Sequence, residues 1–167
     1  MRLFIAVEIP ENISSEFRKI QESIKQEGIK LVKQFHLTLK FLGEVKEEDI
    51  EKIKSDLQQI SFEPFDAVLN GLGAFPSIRH INSIWIGLEP ENKIEELAKK
   101  IDPQETRFKA HVTLGRVKFM KNKQEFVEKL NKIKVPKLSF KIDKIKLIKS
   151  TLTKEGPIYE TIFEKPL

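Results

Sequence analysis

The chain has 167 residues, 40% hydrophobic and 33% charged, a balance that excludes disordered and fibrous classes and describes a globular protein in water. It has no cysteine, which excludes a disulfide framework and thiolate metal sites and fits a reducing, cytoplasmic setting. A net charge of +5 favours an acidic partner such as nucleic acid, although Lys and Glu interleave as they do on any solvated helix face.

The opening run RLFIAVE reads as a strand. It meets Glu8 too soon for an export signal, and no apolar run is long enough to span a membrane. Pro10 opens a helix that carries Ile13, Phe17, Ile20 and Ile24 on one face and is ended by Gly28. HLTLKFLGE alternates as a strand does, and the next helix aligns Ile50, Ile53, Leu57 and Ile60. FDAVLNGLGAF and SIWIGL are two strands split by a Pro-Ser-Ile-Arg-His-Ile-Asn turn region, in which His80 reads as an exposed loop residue. A short helix with Ile94, Leu97 and Ile101 precedes the strand AHVTLGRVK, and another helix carries Phe126, Leu130 and Ile133. In KLSFKIDKIKLIKS the apolar parity shifts near Asp143-Lys144, which predicts a bulge or bend. Leu-Thr-Lys-Glu-Gly-Pro predicts a hairpin loop before PIYETIFE. No linker or charge block divides the chain, so residues 1–167 are expected to form a single α+β domain of two similar halves with antiparallel sheet.

Two of the three histidines share one frame, His-apolar-Thr-Leu, at His36 and again at His111. Strand side chains alternate, so His36 and Thr38 share one face while Leu37 and Leu39 anchor the other. His111 and Thr113 stand likewise against Val112 and Leu114. Two imidazoles facing one cleft suit acid–base catalysis near neutral pH, one taking a proton and the other giving one. A phosphodiester fits between them, with threonine hydroxyls holding its non-bridging oxygens, and such a site needs no metal or cofactor. Zinc is disfavoured because threonine is a poor third ligand, and there is neither a phosphate-cradling glycine motif nor a serine nucleophile elbow. By the same alternation Lys40 and Gly115 fall on the histidine face, Lys40 as a contact for the phosphate backbone and Gly115 leaving room for substrate. Arg116 falls opposite His111, as support or rim. Phe75 and Tyr159 stack on a base or pack in the core.

MRLFIAVEIP, HLTLKFLGEV, GLGAFPS with its following Trp, FKAHVTLGRVK and LIKSTLTKEGPIYE, in that order, resemble the landmarks of the 2H phosphoesterase superfamily. Within it they resemble the RNA 2′,3′-cyclic phosphodiesterase branch, historically called 2′-5′ RNA ligase. The two HxTx motifs of that family match at His36, Thr38, His111 and Thr113. The chain departs from it in having Ala110 where proline often precedes the second histidine, and in a short stretch from Glu89 to Phe108. The resemblance implies a bilobal fold, two pseudo-symmetric antiparallel-sheet lobes with outer helices around a central cleft. It also implies hydrolysis of a terminal 2′,3′-cyclic phosphate on RNA to a 2′-phosphomonoester, with His36 as proton donor and His111 as proton acceptor. An RNA 5′-hydroxyl in place of water would give ATP-independent 2′-5′ ligation. Two alternatives stay open: a phosphodiesterase on small cyclic nucleotides or 2′-5′ oligonucleotides, and a non-catalytic module that binds RNA ends.

Overall fold

The computed structural model describes residues 1–167. β1 (Arg2–Glu8) buries Leu3, Ile5 and Val7 on one face and Phe4 and Ala6 on the other, which is why it reads as an unbroken apolar run. α1 (Glu11–Ile24) starts directly after Pro10 and puts its predicted apolar stripe in the core. It stops short of Gly28 because Lys25 already takes an extended backbone. A three-residue strand, β2 (Ile29–Leu31), and then β3 (His36–Glu44) follow. A 3₁₀ turn, Glu47–Asp49, leads into α2 (Ile50–Gln58).

β4 (Phe65–Ser77) and β5 (His80–Glu89) form one long hairpin. The predicted turn region is therefore mostly strand, with only Ile78 and Arg79 outside the two elements, and His80 begins β5. α3 (Glu91–Ile101), β6 (His111–Val117) and α4 (Lys123–Lys132) repeat the earlier order of helix, motif strand and helix. β7 (Ser139–Ile142), β8 (Lys144–Thr153) and β9 (Gly156–Pro166) complete the chain. No helix is long and apolar enough to cross a membrane.

All strand pairs are antiparallel, in the order β7-β4-β5-β6-β3-β1-β8-β9, with β2 on β6. The sheet has two four-stranded halves, β3-β1-β8-β9 and β6-β5-β4-β7, related by a pseudo-twofold. They meet through a single residue pair, Leu37 with Val112. The parity shift at Asp143 is thus no bulge: β7 pairs with β4 in one half and β8 pairs with β1 in the other, so the chain changes lobe there. The four helices bury their apolar faces with one side of the sheet in a 34-residue core. On the other side only Phe4, Ala6 and Ile148 form a small buried cluster, with Tyr159 against it. That open side carries the histidines.

Candidate active site

The rung that joins the lobes also assembles the site. Leu37 and Val112 are the second residues of the two motifs, and both are fully buried. In an antiparallel pair centred there, His36 runs toward Thr113 and Thr38 toward His111, all on the face opposite the core. The four polar side chains are half-buried around the junction. Alternation within each strand places them, and the lobe junction brings the two sets together.

Each imidazole is walled by two aromatic rings of its own lobe. His36 stands edge-on to Phe4 (centroids 5.6 Å apart) and to Tyr159 (5.1 Å). His111 stands edge-on to Phe75 (4.8 Å) and Trp85 (6.0 Å). The indole of Trp85 lies over Gly73 on the neighbouring strand, where a Cβ would come within 2.3 Å of the ring. Of these rings, Phe75 and Tyr159 are legible from sequence as aromatic candidates. The roles of Phe4 and Trp85 depend on knowing that β1 lies beside β3 and β5 beside β6.

Both motif strands then carry an irregularity at the same position. In β3, Thr38 pairs with Ala6 but Lys40 pairs with the core residue Ile5, and in β6, Thr113 pairs with Trp85 but Gly115 pairs with the core residue Ile84. One extra residue, Leu39 or Leu114, resets the alternation. Lys40 therefore leaves the histidine face and makes an ion pair with Asp102 at 2.5 Å, in a cavity of about 220 Å³ also lined by Ile53 and Leu57. Gly115 turns to β2, where a Cβ would lie 3.1 Å from Ile29 Cγ2, so it makes room for that strand and not for substrate. The same reset brings Arg116 onto the histidine face between Ser83 and Lys30, the reverse of its expected side. Its charge is felt both at His111 and at Tyr159 of the other lobe. Phe41, which alternation alone hides, is the equivalent residue in β3; it is 67% exposed, with its ring 6.0 Å from Phe4. His80, exposed at the hairpin tip, lies seven residues along β5 from Gly87, the partner of His111.

Electrostatics distinguish the two half-sites. Burial pushes His36 down to about 4, opposed by the Glu8 carboxylate and reinforced by the Lys146 ammonium. Burial also lowers His111; the Lys109 carbonyl opposes this, while the Arg116 and Lys109 charges add to it. His111 Nδ1–H donates to that carbonyl at 2.6 Å, which leaves the Nε2 lone pair free. Burial raises the Tyr159 hydroxyl, so it stays protonated. A neutral Nε2 of this kind can accept a proton from water, and a second imidazole across the same patch can return one.

Comparison with known proteins agrees with the duplication. The family described as LigT like Phosphoesterase matches twice, at residues 7–85 and 86–159. A Methanocaldococcus jannaschii protein named RNA 2′,3′-cyclic phosphodiesterase is 43% identical over 98% of this chain and 99% of its own length. A protein of the same name from Archaeoglobus fulgidus is 33% identical over 97% and 98%. Among solved structures, TT0787 of Thermus thermophilus superposes with a TM-score of 0.80 at 28% identity, covering 100% of this chain and 98% of that one. Escherichia coli LigT complexed with phosphate has the same fold, with a TM-score of 0.78 at 24% identity over 99% and 96%. Two family repeats over nearly the whole chain, each supplying one His-x-Thr strand to one patch, lead to one conclusion: the chain belongs to the LigT-like phosphoesterases of the 2H superfamily.

Proposed function

We propose that residues 1–167 act as one catalytic unit that hydrolyses a 2′,3′-cyclic phosphate at the end of RNA. The observation that carries this reading is the meeting of His36, Thr38, His111 and Thr113 on one open face at the Leu37–Val112 rung. Identities of 43% and 33% over nearly the full length to proteins named for that activity support the substrate class. In this mechanism Thr38 and Thr113 donate to the non-bridging oxygens and hold phosphorus in line. His111, held by the Lys109 carbonyl, takes a proton from water through Nε2 as the water oxygen bonds to phosphorus. The bond from phosphorus to the 3′ oxygen breaks, and His36 supplies the proton to that oxygen, leaving a 2′-phosphomonoester and a free 3′-hydroxyl.

His36 is neutral near pH 7 in the free protein, so it takes up its acidic proton from solvent when the anionic substrate binds. A phosphodiester anion between the rings raises both imidazoles by direct charge attraction. An RNA 5′-hydroxyl replacing water would give a 2′-5′ linkage without ATP, because opening the strained ring drives the step. Arg116, with Phe41, Phe75 and Tyr159 at the edges of the patch, supplies contacts to sugar, base or flanking phosphate.

The test is RNA bearing a 2′,3′-cyclic end, incubated with protein in EDTA and resolved by the phosphate form produced. Wild type should yield the 2′-phosphomonoester. His36→Ala and His111→Ala should each lose roughly 10²–10⁴-fold in kcat. A wild type that leaves the ring intact, or an alanine variant that equals it, would overturn the catalytic assignment.

A further inference from the structure

The two half-sites match in motif, aromatic wall and bulge, yet one must hold the proton that the other lacks. Their difference lies one strand away. Glu8 of β1 stands directly across from His36, on the face shared with Ala6 and Phe4. The equivalent position opposite His111 in β5 is Gly87, where even a Cβ would meet the Asn70 carbonyl oxygen at 2.8 Å. A carboxylate therefore fits beside the first histidine and is sterically shut out beside the second.

We propose that Glu8 is a positioning residue that draws the catalytic proton to His36 and so sets the direction of proton transfer, an inference that rests on the two-histidine reading above. Glu8 is itself held in place. Lys146, only 14% exposed, pairs with it from β8, and Glu164 of β9 approaches the same ammonium at 3.7 Å. Lys144 lies 3.6 Å from Glu164, outside this inner group. The charges that act on His36 are thus the Glu8 carboxylate and the Lys146 ammonium, one negative and one positive, with the Tyr159 ring edge-on 5.1 Å away. Around His111 the nearby charges are Arg116 and Lys109, both positive, with Lys109 paired to Glu91 at 3.1 Å. When the anionic phosphodiester binds and a proton is taken up from solvent, the Glu8 carboxylate offsets the burial penalty on a protonated His36, whereas the Arg116 and Lys109 charges add to that penalty at His111. Lys146 fixes the Glu8 carboxylate in the ionised form, which its pairing holds below the usual carboxylate range.

Side-chain NMR titration of the free protein, combined with the pH profile of kcat on RNA 2′,3′-cyclic phosphate, tests this. Glu8→Gln should lower the His36 midpoint by roughly half to one pH unit and leave His111 unmoved. Its kcat should fall roughly tenfold, with the basic limb displaced toward acid, and Glu8→Asp should restore much of both. Lys146→Met, a second route should Glu8→Gln fail to fold, should move the His36 midpoint upward. An unmoved His36, or equal movement of both histidines, would refute the role of Glu8 alone. A wild type inactive on the cyclic phosphate would instead remove the reading beneath it.

Discussion

His36 carries an imidazole into an aromatic wall of Phe4 and Tyr159, and that placement costs the protonated form its hydration. The consequence for stability has a definite sign. The folded value is about 4 and the ordinary value 6.5, so between them the unfolded chain binds more protons. Stability contributed by neutral His36 is complete above 6.5 and is lost as pH falls toward 4. The full loss corresponds to about 3 kcal/mol. Urea unfolding of wild type should therefore weaken between about pH 7 and 4 by up to that much more than unfolding of His36→Gln. Inorganic phosphate, if it binds between the rings, should reduce the difference. The four motif residues were legible in the sequence because period-two alternation within a short strand is a local property, set by backbone geometry alone. Glu8 was not legible, because its importance comes from a neighbour in the sheet and not from a neighbour in the chain.

At the scale of the strand, the bulges at Leu39 and Leu114 decide which side chains meet substrate. They send Lys40 to the helix-covered face and bring Arg116 to the open one. Lys40→Ala should leave kcat/KM for the cyclic phosphate within about twofold of wild type, since the lysine pairs with Asp102 away from the histidines. Arg116→Ala should lower kcat/KM roughly tenfold or more, chiefly through KM, as loss of a charged substrate contact does. Steady-state kinetics on one RNA separates the two. Period two counted straight through Lys40, Gly115 and Arg116 gives the opposite assignment, because one inserted residue inverts every later position in a strand. The helices were legible for the converse reason. Their apolar stripes at Ile13, Phe17, Ile20 and Ile24, and at Ile94 and Leu97, repeat over several turns and survive an error of one residue at either end. β2 is only three residues long and pairs with a distant strand, so nothing periodic announces it.

At the scale of the molecule, the two halves touch along the sheet only at Leu37 and Val112. Truncating Leu37 to alanine removes a fully buried side chain from the rung that sets the spacing of the motifs. The expected cost is about 2–5 kcal/mol in chemical denaturation, with a loss of kcat even at temperatures where the variant stays folded. Domain-scale pairing was legible only in part: the repeat of helix, motif strand and helix was plain, but the break at Asp143 between lobes reads in sequence like an ordinary bulge. That break has a further consequence. The strand after α2 joins the second lobe, and the hairpin β8–β9, after α4, returns to the first, so the repeats exchange their outer strands as partners in a swapped dimer do. Tyr159 and Lys146, which flank His36 and its carboxylate, both arrive on that returning hairpin. On the ribosome, therefore, the earlier motif waits for strands made after every other element, and no half of the nascent chain carries a finished catalytic centre.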